Sequence, residues 1–426
     1  MKISINEKYF YVIFIIAIVF FSLTLVNPRS DNYFMYYVSR EFLRNPDFLW
    51  SHVDAVRSSV LASGYTKNVF NYPPLTMFLY SILILFNLPP ILLIAISFMV
   101  IVFFTYKLNN KAVPLLFISF LFLRSVIQGE SDVLVATFAL ASVYFFDKKP
   151  LISGIFAAMA FLSKQTGTLV VGWFILSILM FKRKELSLSL KNRYILSVIA
   201  VILMVSIWYA RNYILNEGDI IGVITGRKAS TFQLTEEFLR GGIQANLPEI
   251  FFIDTTGYYP NPIDLLLVLG VIFLAVDIFR KRKLDYINFF VLLSLIAYAT
   301  FQAISLRELM TIRYYLFMFP LLAIIIANNL NQRYFKYLLV ISIVIFIFYI
   351  SSLQKYAFNQ LKEQIDVACP QIKQAVDMNP VYVDFFHHIF LAYECDLNLT
   401  DLNHSVFVVN LTSGSIYPTN ISSQVV

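Results

Sequence analysis

The chain has 426 residues, of which 59% are apolar and 14% charged, a balance that excludes an ordinary soluble domain and suits a protein solvated mostly by lipid. The formal charge of +7 does not point to nucleic acid, because Lys and Arg punctuate apolar segments instead of gathering in one basic patch. Cys369 and Cys395 are too few for a zinc centre; in the polar C-terminal stretch they can close one disulfide.

The first element is the apolar run 9–26, preceded by Lys2 and Lys8. It is long and no small-x-small cleavage site follows it, which predicts a retained helix rather than a signal peptide. A hydrocarbon core about 30 Å thick takes roughly 20 apolar residues per helix. That ruler predicts further spans at 90–106, 112–127, 133–146, 151–163, 167–181, 194–210, 263–279, 286–304, 314–330 and 335–352, about eleven crossings in all.

The basic residues orient these spans. With a cytoplasmic N-terminus, the inner segments are the N-terminal tail, YKLNNK, DKKP, KRKELSLSLKNR, RKRKLDY and NQRYFK. They hold about half of all Lys and Arg in about a tenth of the chain. Residues 27–89, 211–262 and 353–426 then lie on the outer side of the cell membrane. LTMFLYSILILF, 75–86, is too short to cross and would invert every later charge, so it reads as a short helix in or dipping into the outer leaflet. The pair 151–163 and 167–181 is also short, joined by SKQT with Lys164 at the outer turn, which suggests a hollow on that side.

The tail holds four Asn-x-Ser/Thr sequons, at Asn398, Asn403, Asn410 and Asn420, and two strand-like stretches, PVYVDFF and SVFVVNL. The predicted architecture is an all-α polytopic membrane domain over 1–352, followed by a small exoplasmic α/β domain over 353–426.

The acidic residues of the outer loops carry the functional argument. Asp31, in SDNYFMYYVSREFL, either caps the helix that follows or, flanked by Tyr33, Tyr36 and Tyr37, deprotonates an acceptor hydroxyl held at the lipid boundary. In QGESD, Ser131 and Asp132 can cap the next helix with Glu130 solvated. Against that bland reading, charge so near the hydrocarbon is costly unless paired or functional. Among the outer cations Lys164, Arg211 and Arg313 are candidates for a phosphate or pyrophosphate, Lys164 and Arg313 above all because each lies where a helix enters the membrane. His52, His387, His388 and His404 form no metal spacing. Because there is no Gly-rich phosphate loop, the energy must arrive with the substrate. Asp31, Glu130 and Asp132 could supply oxygen ligands for Mg2+ or Mn2+.

Taken in order, SDNYFMYYVSREFLRNPD, NYPPL, QGESD, AFLSKQTG, IWYARNYIL and RYYLFMFP resemble the GT-C superfamily of integral-membrane glycosyltransferases. The resemblance covers the first ten spans. It implies a polyprenyl-phosphate sugar as donor, a glycan, lipid or protein hydroxyl as acceptor, and Asp31 as general base. It implies Asp132 as the second acidic position, and Lys164, Arg313 and Tyr314 as neighbours of the donor phosphate. SREFL, with Arg40, falls at the offset found in the aminoarabinose and protein O-mannosyl transferase branch. The element from Tyr72 to Leu75 looks more like enzymes that extend lipid-linked oligosaccharides. The rival classes are a lipid-linked glycan flippase or transporter, which predicts charged residues within the spans, and a non-catalytic membrane subunit.

Overall fold

The computed structural model describes residues 39–40, 42–44, 73–88, 91–127, 131–186, 192–215, 264–282, 284–304, 312–331, 334–338, 340, 341, 344, 370, 374, 381–383, 407–410 and 415–418. Asp31, Tyr36, Tyr72, Glu130, Cys369, Cys395 and the run 9–26 lie outside these residues, and Arg313 is described by its backbone. The chain divides into two compact units. One comprises Met1–Val26, Ile91–Ser206 and Phe232–Leu353, the other Asn27–Pro90, Ile207–Thr231 and Gln354–Val426.

In the first unit the helices are α2 (Ile91–Leu108), α3 (Phe120–Ile127), α4 (Asp132–Phe145), α5 (Pro150–Ser163), α6 (Thr168–Phe181), the start of α7 (Arg193–Leu215), α8 (Leu265–Lys281), α9 (Tyr286–Ile304) and α10 (Phe319–Asn329). The second unit holds α1 (Pro74–Leu85). Among the described residues one helix is long and apolar enough to cross a bilayer alone, over Arg193–Arg211, with mean hydropathy 1.9. The other apolar helices are shorter.

Two expected spans are not single helices. Residues 110–118 form a 3-10 helix containing Pro114, Ser119 is extended (φ −90°, ψ 108°), and α3 begins after it. Proline supplies no amide to an α-helical ladder, and a 3-10 segment rises about 2.0 Å per residue, so it covers the same depth with fewer residues. Residues 312–318 are likewise a 3-10 segment, kinked at Tyr315, that leads into α10.

Buried carboxylates and small residues hold the bundle. Asp264, 2% exposed, accepts from the Leu267 amide at 3.0 Å, the Leu121 amide at 3.1 Å and the Ser119 hydroxyl at 2.7 Å. It therefore caps α8 and α3 at once, satisfying donors that a helix start leaves orphaned. Ser142 and Ser153 exchange hydroxyl bonds with each other's carbonyls at 2.9 and 2.7 Å, closing α4 onto α5. Gly270 lets α8 meet α10, because a Cβ there would fall on the Leu322 side chain. Trp173, Phe290 and Phe317 stack in series, with centroids 4.7 and 5.6 Å apart, joining α6 and α9 to the 3-10 segment.

The basic turns of this unit gather at one end. Lys182 meets Asp147 at 2.9 Å and Glu185 at 3.3 Å. Asn109 donates to Asn328 at 2.8 Å, and Asn288 donates to Asp277 at 2.6 Å. The Lys182 ammonium is raised above its ordinary value, chiefly by the hydrogen bond to Asp147. Each of α4 and α5 runs from this end to the opposite one, where Asp132 and Lys164 lie.

In the second unit the helical residues 39–40 and 42–44 dock on α1. The Ser39 hydroxyl donates to the Met77 carbonyl at 3.0 Å, Ser81 lies 3.3 Å from the Ser39 carbonyl, and Phe42 meets Phe78 edge-on at 5.2 Å. The strand-like stretches of the tail hold β1 (Val381–Val383) and β2 (Phe407–Asn410). β2 pairs parallel with β1 and antiparallel with β3 (Ser415–Pro418).

Candidate active site

Asp132 is the first residue of α4, and Lys164 is the residue that ends α5. An acidic side chain in a first turn is favoured by the helix dipole, which places a carboxylate at this end of the unit for local reasons. Lys164 leaves the helix with extended backbone (φ −159°, ψ 148°), and residues 165–167 return the chain in a 3-10 turn to α6. The antiparallel packing of α4 on α5 brings these two ends together.

The Lys164 ammonium donates to the Asp132 carboxylate at 2.7 Å, with side chains 7% and 1% exposed. Taking two such charges from water costs several kcal/mol per ion, which attraction at this distance offsets only when both partners are present. A neutral core of the same volume often serves a fold as well as such a pair.

The turn that presents Lys164 tolerates no added atom. Gly167 lies on the last turn of α5, where a Cβ would overlap the Ala160 carbonyl and the Phe161 nitrogen. Its amide donates to the Lys164 carbonyl at 2.9 Å, fixing the turn from inside. Gly167→Ala is expected to displace residues 164–167 from α5 and cost about 1–3 kcal/mol, as overpacking does. Thermal unfolding of the purified variant checks this, and an unchanged midpoint would contradict the close approach.

Of the other expected site residues, Arg211 lies on α7, 6% exposed, with its guanidinium 4.7 Å from the Trp208 ring centroid. Arg313 belongs to the 3-10 segment that packs on α4, the helix that begins at Asp132. Arg40 is half-buried beside Ser39. Asp31, Glu130, Tyr36 and Tyr72 lie outside the described residues. Among the described residues no three His, Cys, Asp or Glu cluster. Of the three expected oxygen ligands only Asp132 lies among the described residues, and its carboxylate is met by the Lys164 ammonium at 2.7 Å.

Sequence reasoning missed Asp264, Gly167 and Thr166. Asp264 had a signal, an Asp directly before the apolar run of α8, which is the pattern of a helix cap. Ser131 departs from the cap expected of it: it stands in helical backbone (φ −62°, ψ −17°) and its side chain makes no cap bond.

By sequence, no family model and no characterised protein matches the chain. By structure it is similar to ArnT from Cupriavidus metallidurans, crystallised with undecaprenyl phosphate bound. The TM-score is 0.57 at 14% identity, with 95% of this chain and 87% of that one covered. The chain shares the fold of that protein. Within it, Asp132 and Lys164 bring a carboxylate and a cation of two separate turns into direct contact.

Proposed function

We propose that the chain is a glycosyltransferase that moves a sugar from a polyprenyl-phosphate donor to a hydroxyl acceptor on the outer side of the membrane. The observation that carries this reading is the buried Lys164–Asp132 pair at 2.7 Å, standing at the end of the bundle opposite the basic turns, in a fold shared with ArnT. The undecaprenyl phosphate bound by that protein supports a lipid-linked donor here.

In this reading the donor's phosphate lies against Lys164, Arg313 and Arg211, whose charges stabilise the leaving polyprenyl phosphate. Asp132 holds the Lys164 ammonium in place. Asp31 takes the proton of the acceptor hydroxyl, the acceptor oxygen bonds to the anomeric carbon, and the bond from that carbon to the phosphate oxygen breaks. Glu130, Tyr36, Arg40 and Tyr72 are the substrate-loop residues of this reading, and the segment from 353 onward is its small exoplasmic domain.

The test is transfer of labelled sugar from an undecaprenyl- or dolichyl-phosphate donor by the purified chain. Asp31→Asn is expected to reduce transfer about 10²–10⁴-fold, the usual weight of a general base. Full activity in a folded Asp31→Asn protein would reject Asp31 in that role. Binding of the donor with no turnover by the unaltered protein would favour a transporter.

A further inference from the structure

Two buried hydroxyls close in the chain to Asp132 and Lys164 make no hydrogen bond among the described residues. Ser131 is 1% exposed and immediately precedes Asp132, and its Oγ has no hydrogen-bond partner among the described residues. Thr166, two residues beyond Lys164 in the 3-10 turn, has a buried Oγ1 that is equally unpartnered among them. Neighbouring hydroxyls behave differently. Ser163 donates to the Met159 carbonyl at 2.8 Å, Thr168 to the Gln165 carbonyl at 2.7 Å and Thr137 to the Val133 carbonyl at 2.8 Å.

A buried hydroxyl without a partner is destabilising, and each position had a local remedy. Ser131 in extended backbone would cap α4, as serines at helix starts commonly do. Its backbone is helical instead, and the Leu134 amide bonds to its carbonyl at 3.0 Å while the hydroxyl stays unused. Thr166 is held by the packing of Gly167 on α5 and cannot swing away with the turn. The 3-10 turn packs on α4, so the two hydroxyls belong to residues next in the chain, or next but one, to the members of one buried ion pair.

We propose that Ser131 and Thr166 bind hydroxyl groups of the donor's sugar, with the ring resting against the Lys164–Asp132 pair. The inference rests on the reading of the chain as a user of polyprenyl-phosphate sugars and assigns the sugar end of that donor. A hydroxyl both donates and accepts, which matches the hydroxyls of a saccharide. The Asp132 carboxylate repels phosphate from its own side, so the groups next to it suit an uncharged, hydrogen-bonding ligand. Lys164 then stands at the junction, its charge toward the phosphate that the anomeric carbon carries.

The experiment measures binding to the full-length protein in nanodiscs, using undecaprenyl phosphate alone and a panel of undecaprenyl-phosphate hexoses and pentoses. Ser131→Ala and Thr166→Val are each expected to weaken the preferred glycosylated probe about fivefold, and together about 25-fold, the weight of one and two neutral hydrogen bonds. Binding of bare undecaprenyl phosphate stays unchanged. Thr166→Ser, which keeps the hydroxyl, retains the affinity and separates hydrogen bonding from packing. Parallel weakening of both probes would assign the hydroxyls to the phosphate and overturn the proposal. No change in either would mean that water alone serves them, which overturns it as well. If the unaltered protein binds bare undecaprenyl phosphate but no glycosylated probe better, the sugar assignment falls while the lipid-phosphate class stands. If it binds neither, both fall.

Discussion

Lys164→Met is expected to cost the protein about 3–5 kcal/mol and to abolish sugar transfer. The reason lies in Asp132, whose side chain is 1% exposed and whose carboxylate lies 2.7 Å from the Lys164 ammonium. Removing the cation takes from that buried carboxylate the ammonium it meets at 2.7 Å, and with it an attraction that offsets its desolvation. Asp132→Leu alone removes the ammonium's 2.7 Å partner and should be comparably destabilising. The double variant Lys164→Met, Asp132→Leu removes both charges, and such replacements of buried pairs are often neutral. It should therefore recover most of the lost stability in thermal unfolding while remaining inactive. Recovery of transfer as well would show that the pair is structural only. Failure to recover stability would show that the two charges are not each other's principal compensation.

Asp264→Ala is expected to destabilise the chain by about 3 kcal/mol or more, since hydrogen bonds to a charged group contribute about 1.5–3 kcal/mol each and do not simply add. One carboxylate receives the amides of Leu121 and Leu267 and the hydroxyl of Ser119. The Ser119 oxygen itself accepts from the Phe122 amide at 3.0 Å, so its own proton is committed to Asp264. Loss of the carboxylate thus leaves orphaned donors at the starts of two helices, α3 and α8, in the buried interior. Asp264→Asn should lose less, because its amide oxygen still accepts at one of the two helix starts while its nitrogen faces donors at the other. Ser119→Ala should cost about 1 kcal/mol, one hydrogen bond of the set. Unfolding midpoints that rank the three variants equally would contradict the shared cap.

Much of this architecture is visible in the order of residues. Apolar length and the spacing of Lys and Arg mark α2, α4, α5, α6, α7 and α9 close to their bounds, because crossing a bilayer demands a run of apolar side chains whatever the neighbours do. The same logic put Asp132 and Lys164 at the same side of the membrane. The breaks at Ser119 and Tyr315 were not visible. Residues 112–127 and 314–330 read as uniform apolar segments, and a change from 3-10 to α geometry hardly alters composition.

The candidate site divides along a similar line. That a carboxylate and a cation occur in turns of like sidedness follows from local rules about charge near lipid, and those rules act on each turn separately. That they touch at 2.7 Å, that Gly167 admits no side chain against Ala160, that Asp264 reaches across to Leu121, and that the hydroxyls of Ser131 and Thr166 find no partner among the described residues are consequences of how helices distant in the chain pack. Hydropathy and charge act over one turn or one span and leave their mark in the chain itself. Contact between side chains depends on the close packing of the whole bundle, and only the folded chain decides it.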